Sequence, residues 1–258
     1  MDLIKFDKKD LVASISFNRP SVYNSFNRDM ALEVQAALDD CREDPEVRCI
    51  RLSGEGKAFS AGQDLQEVIA EDGPELSVII QEHYNPIVER IREIEKPVIA
   101  AVNGVAAGAG ANMALCCDIV VAKKSASFIQ AFSKIGLIPD TGGTYFLPRL
   151  IGWQRASALM MTGDKVSADE ALQMGMLYKV YDDAEFEIRV DELCRKMANM
   201  PTRGLANTKS ALNYSMTNDL TTQLGIEDQL QTLSSHTEDY KEGVAAFLEK
   251  RKPSFKGA

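Results

Sequence analysis

The sequence has few of the side chains on which catalytic centres are most often built. In 258 residues it holds 2 histidines, 1 tryptophan and 5 cysteines. His83 and His236 lie far apart in helical patterns, so neither a metal site nor a serine–histidine pair is supported. His83 reads as a helix-surface residue. The cysteines (Cys41, Cys49, Cys116, Cys117 and Cys194) are odd in number and lack any CxxC spacing. They read as reduced core thiols of a cytoplasmic protein, not as metal ligands or a disulfide framework. No apolar run approaches the ~20 residues that span a bilayer. The run Met1-Asp-Leu-Ile-Lys-Phe has no signal-peptide core and opens on strand-like material. Cations are also short, with 29 Lys and Arg against 38 Asp and Glu and a formal charge of −9. Nucleic acid and anionic membranes reward clustered cations, so neither is expected as a partner.

What is present is ordered. Hydrophobic residues make up 45% of the chain, enough for one large core or a core plus a small appended region. Residues 11–18 alternate, with Leu11, Ala13, Ile15 and Phe17 on one face of a strand. Met30, Leu32, Val34, Ala37 and Leu38 follow helical spacing, and Cys49-Ile-Arg-Leu-Ser is a second strand. Residues 75–95 predict a long amphipathic helix striped by Leu76, Ile79, Ile80, Ile87, Ile91 and Ile94. Pro97-Val-Ile-Ala-Ala-Val is continuously apolar, as a strand buried on both faces should be. Strand–strand–helix units thus recur at roughly 11–41, 48–95 and 97–116, which predicts a stacked, spiralling α/β core. After about residue 185 only helical patterns remain. The expected organisation is a core over residues 1–200 and a helical region over 201–258, joined near Pro201-Thr202.

Two glycine-rich turns carry the chemistry. Gly104-Val-Ala-Ala-Gly-Ala-Gly leaves a buried strand and enters a helix, which points orphan N–H groups at whatever precedes the helix. It fails the dinucleotide fingerprint, because Met113 stands where glycine or alanine is needed, and no Gly-Lys-Ser/Thr follows for a phosphate loop. Close helix–strand packing is the alternative reading. A second turn, Gly56-Lys-Ala-Phe-Ser-Ala-Gly-Gln-Asp-Leu, has the same character. Two N–H donors from separate turns make an oxyanion hole. One isolated carboxylate, Asp140, lies in a third glycine-rich turn, Gly136-Leu-Ile-Pro-Asp-Thr-Gly-Gly. Donors that hold an oxyanion and an acid that moves a proton suit enolate chemistry on a carbonyl compound.

Ser60-Ala-Gly-Gln-Asp-Leu, Asn103-Gly-Val-Ala-Ala-Gly-Ala-Gly-Ala-Asn, Cys117-Asp-Ile-Val-Val-Ala and Ile135-Gly-Leu-Ile-Pro-Asp-Thr-Gly-Gly-Thr resemble the crotonase (enoyl-CoA hydratase/isomerase) superfamily over nearly the whole chain. The resemblance implies a spiral of ββα units, a C-terminal helical region that builds trimers or paired trimers, and acyl-CoA thioester ligands. It places the oxyanion donors on the backbone N–H groups of Gln63 and Ala109. Ala61 and Leu65 would frame the adenine, and Lys250 would reach pantetheine or phosphate groups, in the same or a neighbouring subunit. A solvated helix-end lysine is the alternative for Lys250.

The chain departs from the hydratase pattern where hydratases carry two water-splitting glutamates. Asn112 and Phe132 occupy those positions, which disfavours hydration. Asp140 remains, in a pocket expected to be walled by Phe128, Phe132, Ile138 and Tyr145, where desolvation should raise its pKa. Its alternative is a helix N-cap. Asn112 is expected to bond the substrate or Asp140, with an ordinary first-turn helix residue as the alternative. Asp64 and Asp118 read as structural, and Met160-Met161 as core or pocket filler. Tyr84-Asn-Pro-Ile-Val, Asp239-Tyr-Lys-Glu-Gly-Val and Phe247-Leu-Glu-Lys-Arg further resemble the isomerases of aerobic phenylacetate degradation. That resemblance implies rearrangement of ring-1,2-epoxyphenylacetyl-CoA to an oxepin, and shift of 3-enoyl- to 2-enoyl-CoA, with no metal or redox cofactor and with CoA as part of the substrate.

Overall fold

Strands and helices alternate along the first two thirds of the chain, and after a first antiparallel pair each successive strand pair divides itself between two sheets. A computed structural model describes residues 3–258; Met1 and Asp2, at the head of the expected strand-like run, lie outside the described residues. β1 (Ile4–Lys9) and β2 (Val12–Phe17) form an antiparallel pair, and Ala13, Ile15 and Phe17 point inward as their alternation predicts. α1 (Arg28–Glu43) begins where the Asn27 side chain accepts from the Met30 N–H, a cap worth about 1 kcal/mol. Its buried face carries Met30, Ala31, Val34, Leu38 and Cys41, and the helical phase turns Leu32 outward at 38% exposure, against expectation.

β3 (Cys49–Gly54) is followed by the short β4 (Ala58–Ser60), α2 (Leu65–Val68) and α3 (Leu76–Val78). The expected long helix then runs through a π turn, Ile79–Tyr84, into α4 (Asn85–Glu93). Backbone carbonyls of that π turn are taken up by the Gln35 side chain, which donates to the carbonyls of Glu82 (2.7 Å) and His83 (3.3 Å). His83 is 1% exposed, so it is a buried residue and not the surface one expected. Burial lowers its pKa ahead of the opposing charge of Glu67. Leu76, at the head of the stripe, is exposed.

β5 (Val98–Val102) is buried throughout, and β6 (Val105–Ala107) lies inside what the sequence shows only as a glycine turn. α5 (Ala109–Leu115), β7 (Ile119–Lys123), β8 (Ser127–Ile129), a 3₁₀ turn at Ala131–Ile135, α6 (Gly143–Ile151) and α7 (Trp153–Thr162) follow. β9 (Lys165–Ser167), α8 (Ala168–Met174) with a Ser167–Glu170 capping box, and β10 (Lys179–Tyr181) complete the sheets. Met161 near the end of α7 is 77% exposed and fills no core.

The larger sheet has the order β1-β2-β3-β5-β7-β10 and is parallel beyond β2, while the smaller has the order β4-β6-β8-β9. From β3 to β8 successive strands therefore alternate between sheets, which is the spiral of ββα units that the sequence predicts. Period-two alternation assigns the two faces of the larger sheet. Ile50, Leu52, Val98, Ala100 and Val120 face the main core. Cys49, Ile99, Ala101 and Val121 meet Phe186, Val190, Cys194 and Ala198 of α9 (Phe186–Ala198). All five cysteines are free and buried.

α10 (Thr202–Ser215), α11 (Leu220–Ser235) and α12 (Glu238–Glu249) end the chain. Lys209 of α10 is buried and donates to the carbonyls of Ile91 (2.6 Å) and Lys96 (3.2 Å) and to Asp118 (2.8 Å). Asp118 also receives Arg92 and the Val98 N–H, so it serves the fold as expected. By contrast α11 buries no residue, and a groove of about 1100 Å³ opens among the three helices. No helix among the described residues is long and apolar enough to cross a membrane.

Candidate active site

β4 and β6 are neighbours in the smaller sheet, so the turns that leave them meet. Gly62 (φ 89°) and Gly108 (φ 53°) adopt left-handed backbone that side chains resist. A Cβ on Gly62 would stand 3.2 Å from the Ala109 nitrogen, which shows how closely the two turns abut. Gly110, in contrast, is a packing residue: its Cβ would lie 2.4 Å from the Ser60 carbonyl oxygen. The glycine run therefore combines a positive-φ turn at Gly108 with a close-packing position at Gly110.

Ala109 opens α5, so its N–H has no acceptor within the helix. Gln63 is held on a bridge to Phe26, where the Phe26 N–H donates to the Gly62 carbonyl (2.7 Å) and the Asp64 N–H to the Phe26 carbonyl (2.8 Å). Among the described residues neither the Gln63 nor the Ala109 N–H donates to a protein acceptor. Asp64 caps α2 by accepting from the Gln66 N–H and pairs with Arg19 at 2.8 Å, which stabilises the turn. Ala61 and Leu65 flank Gln63 and are exposed, Leu65 at 51%.

Asp140 sits between the 3₁₀ turn and α6 with its carboxylate partly buried. Burial pushes its pKa up, opposed by the Thr141 hydroxyl, which donates to Oδ1 at 2.8 Å. α6 starts from Gly142 with no side-chain cap, so Asp140 does not serve as an N-cap. Its main-chain carbonyl accepts from Asn112 Nδ2 (2.9 Å) and from the Gly143 N–H (2.8 Å). Asn112 Oδ1 in turn accepts from Gln130 Nε2 (2.8 Å). Asn112 is 1% exposed and both ends of its amide are engaged, one of them by the Asp140 main chain as one of its two expected partners. Gln130 was not visible as a functional residue. The available signal was a polar residue ending a buried strand, and its Oε1 is buried without a partner among the described residues.

Of the expected aromatic walls, Phe132 lies at the site. A Cβ on Gly108 would come within 3.8 Å of its ring, which places the ring over the oxyanion turn. Phe128 belongs to the main core. Tyr145 is 37% exposed and carries the Arg149 guanidinium 3.8 Å above its ring. Ile138 is 80% exposed and walls nothing within one chain, so the desolvation of Asp140 arises from other neighbours. Lys250 ends α12 in a left-handed conformation, exposed, and has no bond to the turn residues among the described residues. No group of three or more metal-ligating side chains gathers among the described residues.

The sequence also missed Tyr84. Its hydroxyl donates to Gln63 Oε1 at 2.9 Å from a fully buried ring. Burial first, and the charge of Asp140 second, push its pKa well up and keep it neutral.

Two backbone N–H groups on abutting turns, an acid with a raised pKa and the ring of Phe132 thus gather in one region, an arrangement of the kind that can stabilise an oxyanion and move a proton. Comparison with known proteins identifies the family. The family model described as enoyl-CoA hydratase/isomerase matches residues 7–258. The chain is 45% identical over 249 residues to the 1,2-epoxyphenylacetyl-CoA isomerase of Escherichia coli K12, covering 95% of each chain. It is 36% identical over 256 residues to the crotonyl-CoA hydratase of Syntrophomonas wolfei, covering 98% of this chain and 97% of that one. The crystal structure of an enoyl-CoA hydratase from Bacillus anthracis superposes with a TM-score of 0.93 at 35% identity and full coverage of both chains (100% each). With its alternating two-sheet spiral, the chain has the crotonase fold and belongs to the enoyl-CoA hydratase/isomerase family.

Proposed function

We propose that the protein is an acyl-CoA isomerase in which Asp140 shuttles a proton across a thioester enolate held by the N–H groups of Gln63 and Ala109. The observation that carries this reading is the asymmetry of the site: one carboxylate whose pKa is raised by burial, with the amide Asn112 and the ring of Phe132 where a water-splitting pair would stand. On a 3-enoyl-CoA, Asp140 would take the proton from C2. The electron pair would move onto the thioester oxygen and the double bond would migrate, and the same proton would return to C4. Nothing is added or lost. On ring-1,2-epoxyphenylacetyl-CoA, the bond between the two epoxide carbons would break to expand the ring, while Asp140 takes the α-proton and returns it to a ring carbon, giving the isomeric oxepin. The aromatic lid and the 45% identity to the Escherichia coli isomerase favour this aromatic epoxide as the physiological substrate, in phenylacetate catabolism.

Ala61 and Leu65 would frame the adenine of CoA, and Lys250 would serve its phosphates or pantetheine. The chain would act as a homotrimer or pair of trimers built through the exposed apolar side of α11 and α12, where Leu224, Leu233, Phe247 and Leu248 lie open. Light scattering on the purified protein tests the assembly. A panel of epoxyphenylacetyl-, 3-enoyl- and 2-enoyl-CoA esters, read by product mass and ultraviolet absorbance, tests the chemistry. Isomerisation without change of mass is expected. Addition of water to 2-enoyl-CoA as the dominant reaction, or a covalent acyl or aryl adduct on Asp140, would refute the proposal.

A further inference from the structure

We propose that Tyr84 is a positioning residue for the oxyanion site, acting through the side chain of Gln63. This rests on the reading that the Gln63 N–H holds the enolate oxygen. The Gln63 side chain is fixed at both ends. Its Oε1 accepts from the Tyr84 hydroxyl at 2.9 Å, and its Nε2 donates to Glu67 Oε2 at 2.8 Å. Glu67 is itself anchored, since Oε1 accepts the Arg28 N–H at 2.9 Å. The side chain is thereby tied between α2 and the π turn, and the backbone N–H is left without a protein acceptor among the described residues.

Tyr84 is suited to that task. It closes the π turn, a distortion that recurs at functional positions in helices. Its ring is 1% exposed and tilts against Phe26 at 5.9 Å, the residue that pins Gly62 and Asp64 on either side of Gln63. One aromatic pair therefore grips the Gln63 peptide from its backbone and from its side chain. Phenylalanine would fill the same core volume. The hydroxyl adds a single directed bond, and that bond ends on the residue whose amide does the chemistry. A misplacement on the order of 1 Å in such a donor costs up to ~100-fold in rate, so one fixed contact behind it has leverage.

The test uses Tyr84→Phe, Gln63→Met, which keeps the backbone N–H and loses both side-chain bonds, and the double variant. Each is assayed with 3-enoyl-CoA and titrated with acetoacetyl-CoA, whose enolate absorbs in the near ultraviolet when an oxyanion site stabilises it. Tyr84→Phe is expected to lower kcat about tenfold with KM within about twofold, and to reduce the enolate absorbance while the melting temperature stays within a few degrees. The double variant should be no slower than Gln63→Met alone, because the tyrosine acts only through the glutamine. Wild-type kcat and enolate absorbance in Tyr84→Phe, or losses that multiply in the double variant, would overturn the proposal. If the wild-type protein isomerises no ester yet enolises acetoacetyl-CoA, the isomerase reading falls and the enolate arm alone decides on Tyr84. If it does neither, there is no oxyanion site to position and both fall.

Discussion

Around Gln63 and Ala109 the turns are tied from behind. Phe26 bridges the first turn, Tyr84 and Glu67 hold the Gln63 side chain, and the second turn is pressed against Gly62. Around Asp140 the main chain is clamped by Asn112 and Gly143, but among the described residues the one side chain that bonds the carboxylate is its neighbour Thr141, and the preceding Ile135, Leu137 and Ile138 are exposed. Under the proposed function the contrast follows from what each side would do. Hydrogen-bond donors stabilise a developing charge only if they need not reorganise when it forms. A proton carrier must swing between two carbons of the substrate, and needs a fixed anchor, a raised pKa and a head that is not locked.

Breaking the acid side should have the largest effect. Asp140→Asn is expected to lower kcat by about 10³ while the dissociation constant of a saturated acyl-CoA stays within about twofold, measured by isothermal titration. On the donor side, Gly62→Ala should lower kcat by about 10², because a Cβ there would crowd the Ala109 nitrogen at 3.2 Å and force the turn from φ 89°. Asn112→Ala should cost about tenfold in kcat with little change in KM, since it frees the Asp140 carbonyl without touching the substrate.

Stability separates the two sides in a different way. Burial raises the Asp140 pKa from its ordinary 3.8, so the folded state favours the protonated carboxyl. Ionised Asp140 therefore costs stability, beginning as pH rises above about 3.8 and complete above the raised folded value. Asp140→Asn removes this cost and keeps an acceptor for the Thr141 hydroxyl. Its melting temperature should exceed wild type at pH 7, and the advantage should vanish in scans near pH 3.5. The smallest effect belongs to the rim. Leu65→Ala should weaken CoA-ester binding about threefold, as expected for partial loss of an apolar contact from a residue half open to solvent.

Much of this was legible in the sequence, but for a physical reason the legibility is uneven. β5 announces itself because a strand buried on both faces is apolar at every position. β4, β6 and β8 have three residues each, too short to show any period, so the smaller sheet was invisible although it aligns the two turns. The stripe of the helix after residue 75 was clear. The inward turn of His83 was not, because counting at 3.6 residues per turn does not anticipate the wider π turn at Ile79–Tyr84. Asp140 stood out as a carboxylate among glycines. The bonds of Gln130 to Asn112, and of Tyr84 to Gln63, join residues 18 and 21 positions apart, and no local pattern encodes such pairings.

The central claim is that this site moves a proton and adds no water. Incubation with 3-enoyl-CoA carrying two deuteriums at C2 tests it most directly, with the product read by mass as the 2-enoyl absorbance rises. The account predicts a 2-enoyl-CoA of largely unchanged mass, with one deuterium transferred from C2 to C4. A product heavier by one water, or one in which the transferred deuterium is wholly replaced by solvent hydrogen, would contradict it.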